Sequence, residues 1–462
     1  RANELTPTMP CMYALTSGTT GRPKMLPVLE QTLKQQRRTQ RIFSYLQYCQ
    51  TPDAFNGKMF GLMGAAVEGH IDNGVPFGSV SGLLHLNMPW IMRSKFVVPA
   101  AVFDIPDYQL KYLVSLRLAM AEPNITYMGG ANPSTFLQLQ SLMFTHGQQL
   151  IDDIKSGQFY RVKELNKSIV SELAGLLVAN PARACKLQTL FDSGSLSFTD
   201  VWPHLRLLST WTGGSCGIAL GQLQRYLPEQ IRIVDLGYIA SEFRGTMPLN
   251  LKGFGGIPLL DDNFYEFVSK DDWESGTPQF LLLDQLETGQ DYYIFITTQS
   301  GLFRYQMDDI LRMTGHYNKT PILRFIQKGK GITSITGEKL YENQVMDAMS
   351  SCCKEMNMQL PYFIMLANQD KSCYQVYIES ATVDQHFAGI LDKKLAEINL
   401  EYEAKRKSSR LGSIELYKFK SGTCEAYKKH RVDAGQREGQ YKPVLLQYKD
   451  NFDFPIDKYL AL

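Results

Sequence analysis

The segment Thr16-Ser17-Gly18-Thr19-Thr20-Gly21-Arg22-Pro23-Lys24 gathers hydroxyls and glycines just ahead of a lysine. Glycines let a backbone approach an anion closely, and hydroxyls and N–H groups then donate to it. The segment is not a P-loop, which needs four residues between its glycines and a Ser or Thr after the lysine. Here Pro23 precedes Lys24 and Met25 follows it. Phosphate binding is the favoured chemistry, against a loop that is merely polar. A second group, Asp235-Leu236-Gly237-Tyr238-Ile239-Ala240-Ser241-Glu242, ends a strand on an aromatic ring and a carboxylate. The ring could stack on a nucleobase and the carboxylate could hold Mg²⁺ through hard oxygens. Alone, such a pair is more often structural. In Arg304-Tyr305-Gln306-Met307-Asp308-Asp309 two adjacent carboxylates follow a strand. They suit either a sugar diol or a capped turn. Near the C-terminus, Gly439-Gln440-Tyr441-Lys442-Pro443 offers a lysine that by itself reads as an exposed surface residue.

The elements that must position these groups alternate between short apolar runs and helical patterns. Cys11 to Leu15 reads as a strand feeding the Gly-rich loop. Glu30 to Tyr48 reads as a helix burying Leu33, Ile42, Phe43 and Leu46. Asp104 with Pro106 marks a helix start before Leu110, Leu113 and Val114. Asn124 to Met128 is a strand, and Asn132-Pro133-Ser134 opens another helix. Residues 141–190 are helix-rich, a subdomain or a lid. Strand patterns return at 205–211, 231–236, 264–268, 279–283 and 292–298. The polar, Gly-rich run Gln327-Lys328-Gly329-Lys330-Gly331 reads as a hinge. Beyond it come a helix from 342, strands near 361–366 and 374–379, a helix over 383–406 and a strand near 413–419. The expected fold is α/β: a large N-terminal domain of mixed β-sheets flanked by helices, with a smaller α+β C-terminal domain. The boundaries expected are 1–324, a hinge at 325–331, and a mobile domain at 332–462.

Bulk properties narrow the partners. With 462 residues, 44% of them hydrophobic, the chain can bury large cores without disulfide staples. A net charge of +2 gives no support to nucleic acid or a membrane surface as partner. The basic run Lys405, Arg406, Lys407 and Arg410 then reads as a solvated helix face. The eight cysteines form no CxxC pair and no zinc-type spacing, which fits reduced thiols in a cytoplasmic protein. No apolar run approaches the ~20 residues of a membrane span. The opening Arg-Ala-Asn-Glu-Leu resembles neither a signal peptide nor a natural start, as expected of a chain trimmed at that end. Oligomeric state is not legible.

Taken in order, the segments resemble the adenylate-forming superfamily, and within it the auxin-responsive Gretchen Hagen family of acyl acid amido synthetases in its bacterial form. The resemblance rests on Ser-Gly-Thr-Thr-Gly-x-Pro-Lys at 17–24, Tyr-x-Ala-Ser-Glu at 238–242, and Arg-Tyr-x-x-x-Asp at 304–309 with Thr314, Gly315 and Asn318 after it. Gly337-Glu338-Lys339-Leu340, Gln440-Tyr441-Lys442, Trp211-Thr212-Gly213-Gly214-Ser215 and Asn180-Pro181-Ala182-Arg183-Ala184 extend it over essentially the whole chain.

The resemblance implies that Ser17, Gly18, Thr19, Thr20, Gly21 and Lys24 hold the ATP phosphates, and that Tyr238 lies on the adenine. It puts Ser241 and Glu242 near the α-phosphate and Mg²⁺, Arg304 and Asp309 at the ribose, and Lys442 on the swinging small domain. Lys442, Glu242 and Lys24 are the implied catalytic residues. Thr212, Gly213, Gly214 and Ser215, with segment 125–136, are the implied acyl-binding region. Asp308 stands where the family usually has Gly. The family also carries some tens of residues ahead of the phosphate loop. The implied activity is ATP-dependent activation of a small carboxylic acid as its acyl-adenylate, then transfer to an amine such as an amino acid. An acyl-coenzyme A ligase of the same superfamily differs only in the acceptor. A degenerate nucleotide-binding module, suggested by Asp308, is the non-enzymatic alternative.

Overall fold

The structure is a computed structural model, and it describes residues 6, 8–15, 24–214, 216–250, 255–261, 263–329, 331–336, 338–359, 361–407, 411–436, 438 and 441–461. Four sheets of four or five strands organise these residues. Lys58–Gly61, Ile125–Gly129, Leu207–Thr210 and Arg232–Asp235 form an all-parallel sheet in that order. Its two central strands, Ile125–Gly129 and Leu207–Thr210, are largely buried, because helices cover the faces that parallel crossovers create. Met25–Val28, Met12–Leu15, Pro76–Gly78 and Gly69–His70 make a smaller mixed sheet. Phe280–Leu281, Asn263–Ser269, Asp291–Thr298, Tyr305–Tyr317 and Thr320–Lys328 make a five-stranded antiparallel sheet. The last sheet orders Glu415–Lys418, Cys373–Ile378, Phe363–Asn368 and Leu446–Tyr448.

Several sequence expectations need correction in detail. Helix Glu30–Gln50 buries Leu33 and Phe43, but Ile42 is 41% exposed, because Thr39 and Gln47 take the inward stripe instead. The helix expected after Asp104 and Pro106 starts later, at Tyr108, and Asp107 is its cap: the carboxylate accepts from the Leu110 N–H at 2.6 Å. The helices within 141–190 are no lid. Leu150, Ile154, Ile169 and Leu187 belong to the same core as the parallel-sheet residues Ile125 and Leu208. The helix expected over 383–406 is two helices, Gln385–Ile398 and Leu400–Lys407, broken at Asn399. Arg406 is not merely solvated; its guanidinium clamps Asp392. The long hairpin Tyr305–Tyr317 with Thr320–Lys328 was not foreseen. Its second strand carries the ladder through Lys328, so Phe325, Gln327 and Lys328 of the expected hinge are paired in the sheet, with Ile326 at a shift of register.

The C-terminal sheet is tied to its helix by a buried carboxylate. Glu342 opens the helix Glu342–Glu355, donates its N–H to Gly331 O, and accepts from the Leu445 N–H at 2.7 Å. Burial pushes the Glu342 carboxyl up to about 7, against the pull of the Leu445 and Leu446 amides. Because the folded value lies above the unfolded one, the stability that this group contributes is complete below pH ~4.5 and lost as pH rises through about 7. Glu342→Gln is therefore expected to flatten the fall in unfolding free energy across that window, by on the order of 1–3 kcal/mol. Urea titrations at pH 5 and pH 8 check this; equal pH dependence in both proteins contradicts it.

Candidate active site

Three elements bring charged groups to one place. The parallel strand Arg232–Asp235 runs into a tight loop in which Tyr238 N donates to Thr246 Oγ1 and Gly245 N to Tyr238 O. This loop carries Tyr238, Ser241 and Glu242. The antiparallel hairpin sets Asp309 directly opposite Lys328, a favourable cross-strand charge pair. Lys328 Nζ donates to Asp309 Oδ1 at 3.2 Å, and Tyr238 Oη donates to Asp309 Oδ2 at 2.6 Å. Both bonds leave lone pairs on the carboxylate, which can accept about four. Lys24, from the edge of the small mixed sheet, reaches Tyr305 Oη at 3.1 Å.

The electrostatics join these groups into one cluster. Burial raises the Glu242 carboxyl above its usual range. The negative charge of Asp309 raises it further, while Lys328 and Lys24 pull it down. Burial would lower the Lys328 ammonium, but Asp309, Glu242 and Asp308 outweigh it and hold it up. Asp235, on the adjoining strand end, is raised by burial against the Gly237 amide and the Thr212 hydroxyl.

Asp308 is explained by its backbone. The pairing partners skip from Tyr293 with Ile310 to Phe295 with Gln306, a bulge that leaves 307–309 facing one residue. Asp308 takes φ 55° there, and its carbonyl accepts from Gly329 N at 2.8 Å. Glycine suits such a φ best, and Asp is among the few residues that tolerate it. Asp308 is thus compatible with the bulge.

The tail completes the cleft. The Tyr441 carbonyl accepts a hydrogen bond from Asn132 Nδ2, and Lys442 Nζ lies 4.3 Å from the centre of the Trp211 ring and 4.8 Å from that of Phe325. Both are within cation–π range. Trp211, Thr212, Gly213, Asp235, Tyr238, Phe325 and Lys442 line one cleft of about 20 Å³, room for a water rather than a purine. Tyr238 is 5% exposed, with its ring stacked on Phe325 at 5.9 Å and 11°. An adenine on that face of Tyr238 would have to displace Phe325. Gly214, at φ 58°, packs on the same ring, where a Cβ would come within 2.9 Å. Through Trp211 the cleft adjoins a chamber of about 490 Å³, walled by Leu62, Met63, Phe103, Ile105 and residues 130–132.

Of the residues expected from sequence, the structure gathers Lys24, Tyr238, Glu242, Asp309, Thr212, Gly213, Gly214 and Lys442. Ser241 lies on the same loop. Arg304 is engaged elsewhere: Glu266 takes its Nε at 3.0 Å, and its guanidinium sits 4.5 Å from the Phe280 ring centre. Ser17, Gly18, Thr19, Thr20, Gly21, Ser215, Gly337 and Gln440 lie outside the described residues. Lys328 and Phe325 were missed, because a polar Gly-rich run looks like a loop. The alternation of Leu323, Phe325 and Gln327 against Arg324, Ile326 and Lys328 was the available signal. Among the described residues no cluster of three His, Cys, Asp or Glu could hold a metal by itself.

Parallel and antiparallel sheets thus bring a lysine from the tail onto an acidic, aromatic cleft. The chain belongs to the GH3 family, whose N-terminal domain matches residues 2–231, central domain 256–328 and C-terminal domain 343–450. It is 24% identical to a probable indole-3-acetic acid-amido synthetase, GH3.11, of Oryza sativa subsp. japonica, over 92% of this chain and 78% of that protein. It is 23% identical to the jasmonoyl–L-amino acid synthetase JAR4 of Nicotiana attenuata, over 93% of this chain and 78% of that one. Its fold is that of the GH3.15 acyl acid amido synthetase: TM-score 0.86 at 20% identity, covering all of this chain and 84% of the other.

Removing the cation that balances the two carboxylates tests the cluster. Lys328→Met is expected to weaken ATP binding about tenfold or more, the scale of a lost charged hydrogen bond. Titration calorimetry with ATP checks this. A dissociation constant within about twofold of the parent's would show that Lys328 plays no part.

Proposed function

We propose that this protein is an ATP-dependent ligase that activates a small carboxylic acid as its acyl-adenylate and then passes the acyl group to an amino acid. The observation that carries the reading is the convergence of Lys442, from the tail, with Trp211, Tyr238, Glu242, Asp309 and Lys24 from four other parts of the chain. The relatives support the same chemistry: the rice protein is named for indole-3-acetic acid, the tobacco one for jasmonate, and AtGH3.15 was solved in complex with 2,4-DB.

A carboxylate is a poor acyl donor because oxide is a poor leaving group. Attack of its oxygen on the α-phosphorus of ATP, with departure of pyrophosphate, converts it to a mixed anhydride. The protein must bring two anions together and stabilise charge on five-coordinate phosphorus, which is electrostatic work. Lys24 and the segment 17–21 take the outgoing phosphates. Lys442 supplies positive charge at the opposite wall, beside Trp211. Asp309, held by Tyr238 and Lys328, accepts the ribose hydroxyls. Glu242 fits Mg²⁺, which is usually held by one or two carboxylates together with substrate phosphates. When bound, the ion would neutralise phosphate charge. In the second half-reaction the amine nitrogen attacks the acyl carbon and AMP leaves. With an α-amino pKa near ~7.7–8.0, enough amine is neutral at pH 7–8 to attack.

Of the hinge expected at 325–331, the part beyond the paired Lys328 is the proposed pivot between a large domain at 1–324 and a small one at 332–462, and it lets Lys442 serve adenylation and then withdraw. With Phe325 and Lys442 so close to Tyr238, ATP entry needs some opening of this kind. A cytoplasmic setting is supported by eight free cysteines. Among the described residues no helix is long and apolar enough to cross a membrane.

A screen of carboxylic acids by ATP–pyrophosphate exchange tests the reading. At least one acid should support exchange, and Lys442→Ala should slow it at least about tenfold, the scale of a lost transition-state charge interaction. Amide product should form with amino acids, and no thioester with coenzyme A. No exchange with any acid, despite ATP binding, would overturn the reading.

A further inference from the structure

The tail is not the small domain's only hold on the large one. The short helix Lys270–Glu274 is fixed to the five-stranded sheet. Ser269 Oγ caps it by accepting from Asp272 N at 3.1 Å, and the Trp273 ring lies 5.6 Å from that of Tyr293 and 5.3 Å from that of Phe295. At the end of this helix Glu274, its side chain 12% exposed, meets the residues just past the proposed pivot. Glu274 Oε2 accepts from Tyr341 Oη and lies 3.4 Å from Lys339 Nζ. Lys270 Nζ stands 3.1 Å from the centre of the Tyr341 ring. Tyr341 is itself 6% exposed. Two charged groups of the large domain therefore grip one buried tyrosine, through its hydroxyl and through its ring face.

Tyr341 is joined to Lys442 by a buried link. The next residue, Glu342, accepts from the Leu445 N–H at 2.7 Å, and Leu445 lies three residues beyond Lys442. Both Glu342 and Leu445 are buried, so this bond has no water to replace it. Whatever holds Tyr341 thus also holds the segment that carries Lys442. The proposed pivot falls between Gly329, whose N–H donates to Asp308 O, and Gly331, whose carbonyl accepts from the Glu342 N–H. A turn there carries Tyr341 away from Glu274 and Lys442 away from Trp211 together. Once they part, water reaches the carboxylate and the hydroxyl, which makes the grip reversible.

We propose that Glu274 is a positioning residue: by gripping Tyr341 it holds the small domain where Lys442 serves adenylation, and it lets go for acyl transfer. This rests on the ligase reading above and adds to it a contact that selects between the two half-reactions.

The test uses Tyr341→Phe, which removes the hydroxyl and keeps the ring, Glu274→Gln, and the double variant, all in the full chain. One arm measures ATP–pyrophosphate exchange with the acid that gives the fastest exchange in the parent. The other supplies the chemically prepared acyl-adenylate of that acid with an amino acid, and follows amide by mass spectrometry. Tyr341→Phe should slow exchange about tenfold, the size of a lost charged hydrogen bond. Amide formation from the supplied adenylate should be unchanged or faster. The double variant should exchange within about twofold of the slower single variant, because both residues act through one contact. In a Lys442→Ala background, Tyr341→Phe should slow exchange by less than about twofold more, because the grip works through that lysine. A merely structural role would slow both arms alike, and that result overturns the proposal. So does exchange at the parent's rate in both single variants, or slowing that multiplies in the double variant. Absence of exchange in the parent with every acid would sink the ligase reading, and this proposal with it.

Discussion

Two carboxylates, Glu242 and Asp309, are held in one largely buried region, and the site depends on how that charge is balanced. Unpaired, they would repel each other and any phosphate brought near them. Lys328 answers this directly by bonding Asp309, and its charge, with that of Lys24, also acts on Glu242. The result is an acidic site that can still accept a polyanion. The same cluster orients Asp309, because Tyr238 Oη and Lys328 Nζ hold its two oxygens from opposite elements.

The folding solution follows from that need. Asp309 and Lys328 face each other because they occupy paired positions of one hairpin, and the bulge at 307–309 sets the local turn of the strand. Tyr238 arrives from the carboxyl end of a parallel strand, where open α/β sheets bind their ligands. Around it Phe243, Tyr265 and Phe325 pack into an aromatic cluster that fixes the ring. The tail is seated by Asn132, itself the cap of the helix Pro133–Thr145, so that one residue both starts a helix and docks the segment bearing Lys442.

Much of this was legible before any coordinates. The strands at 207–210, 232–235 and 291–298 fall where apolar runs predict them. Asn132 and Pro133 announce their helix by capping chemistry alone. Tyr238, Glu242, Asp309 and Lys442 were named from motifs. What failed did so for physical reasons. Ile42 looked inward by type, yet in a helix whose buried stripe includes Thr39 and Gln47, polar contacts override hydrophobicity. Asp104 and Asp107 both suit a cap, and only the fold chooses between them. Lys328 hid in a polar run because the partner that explains it lies across a hairpin and not along the chain. The chamber beside Trp211 is assembled from segments about 150 residues apart, which no local pattern reveals.

The most direct test of the account is a crystal structure of the protein with a non-hydrolysable ATP analogue. The account predicts the ribose hydroxyls on Asp309, the phosphates between Lys24 and Glu242, and Phe325 displaced from the face of Tyr238. An analogue bound anywhere else, or bound in the cleft with Asp309 and Glu242 both out of reach, would contradict it.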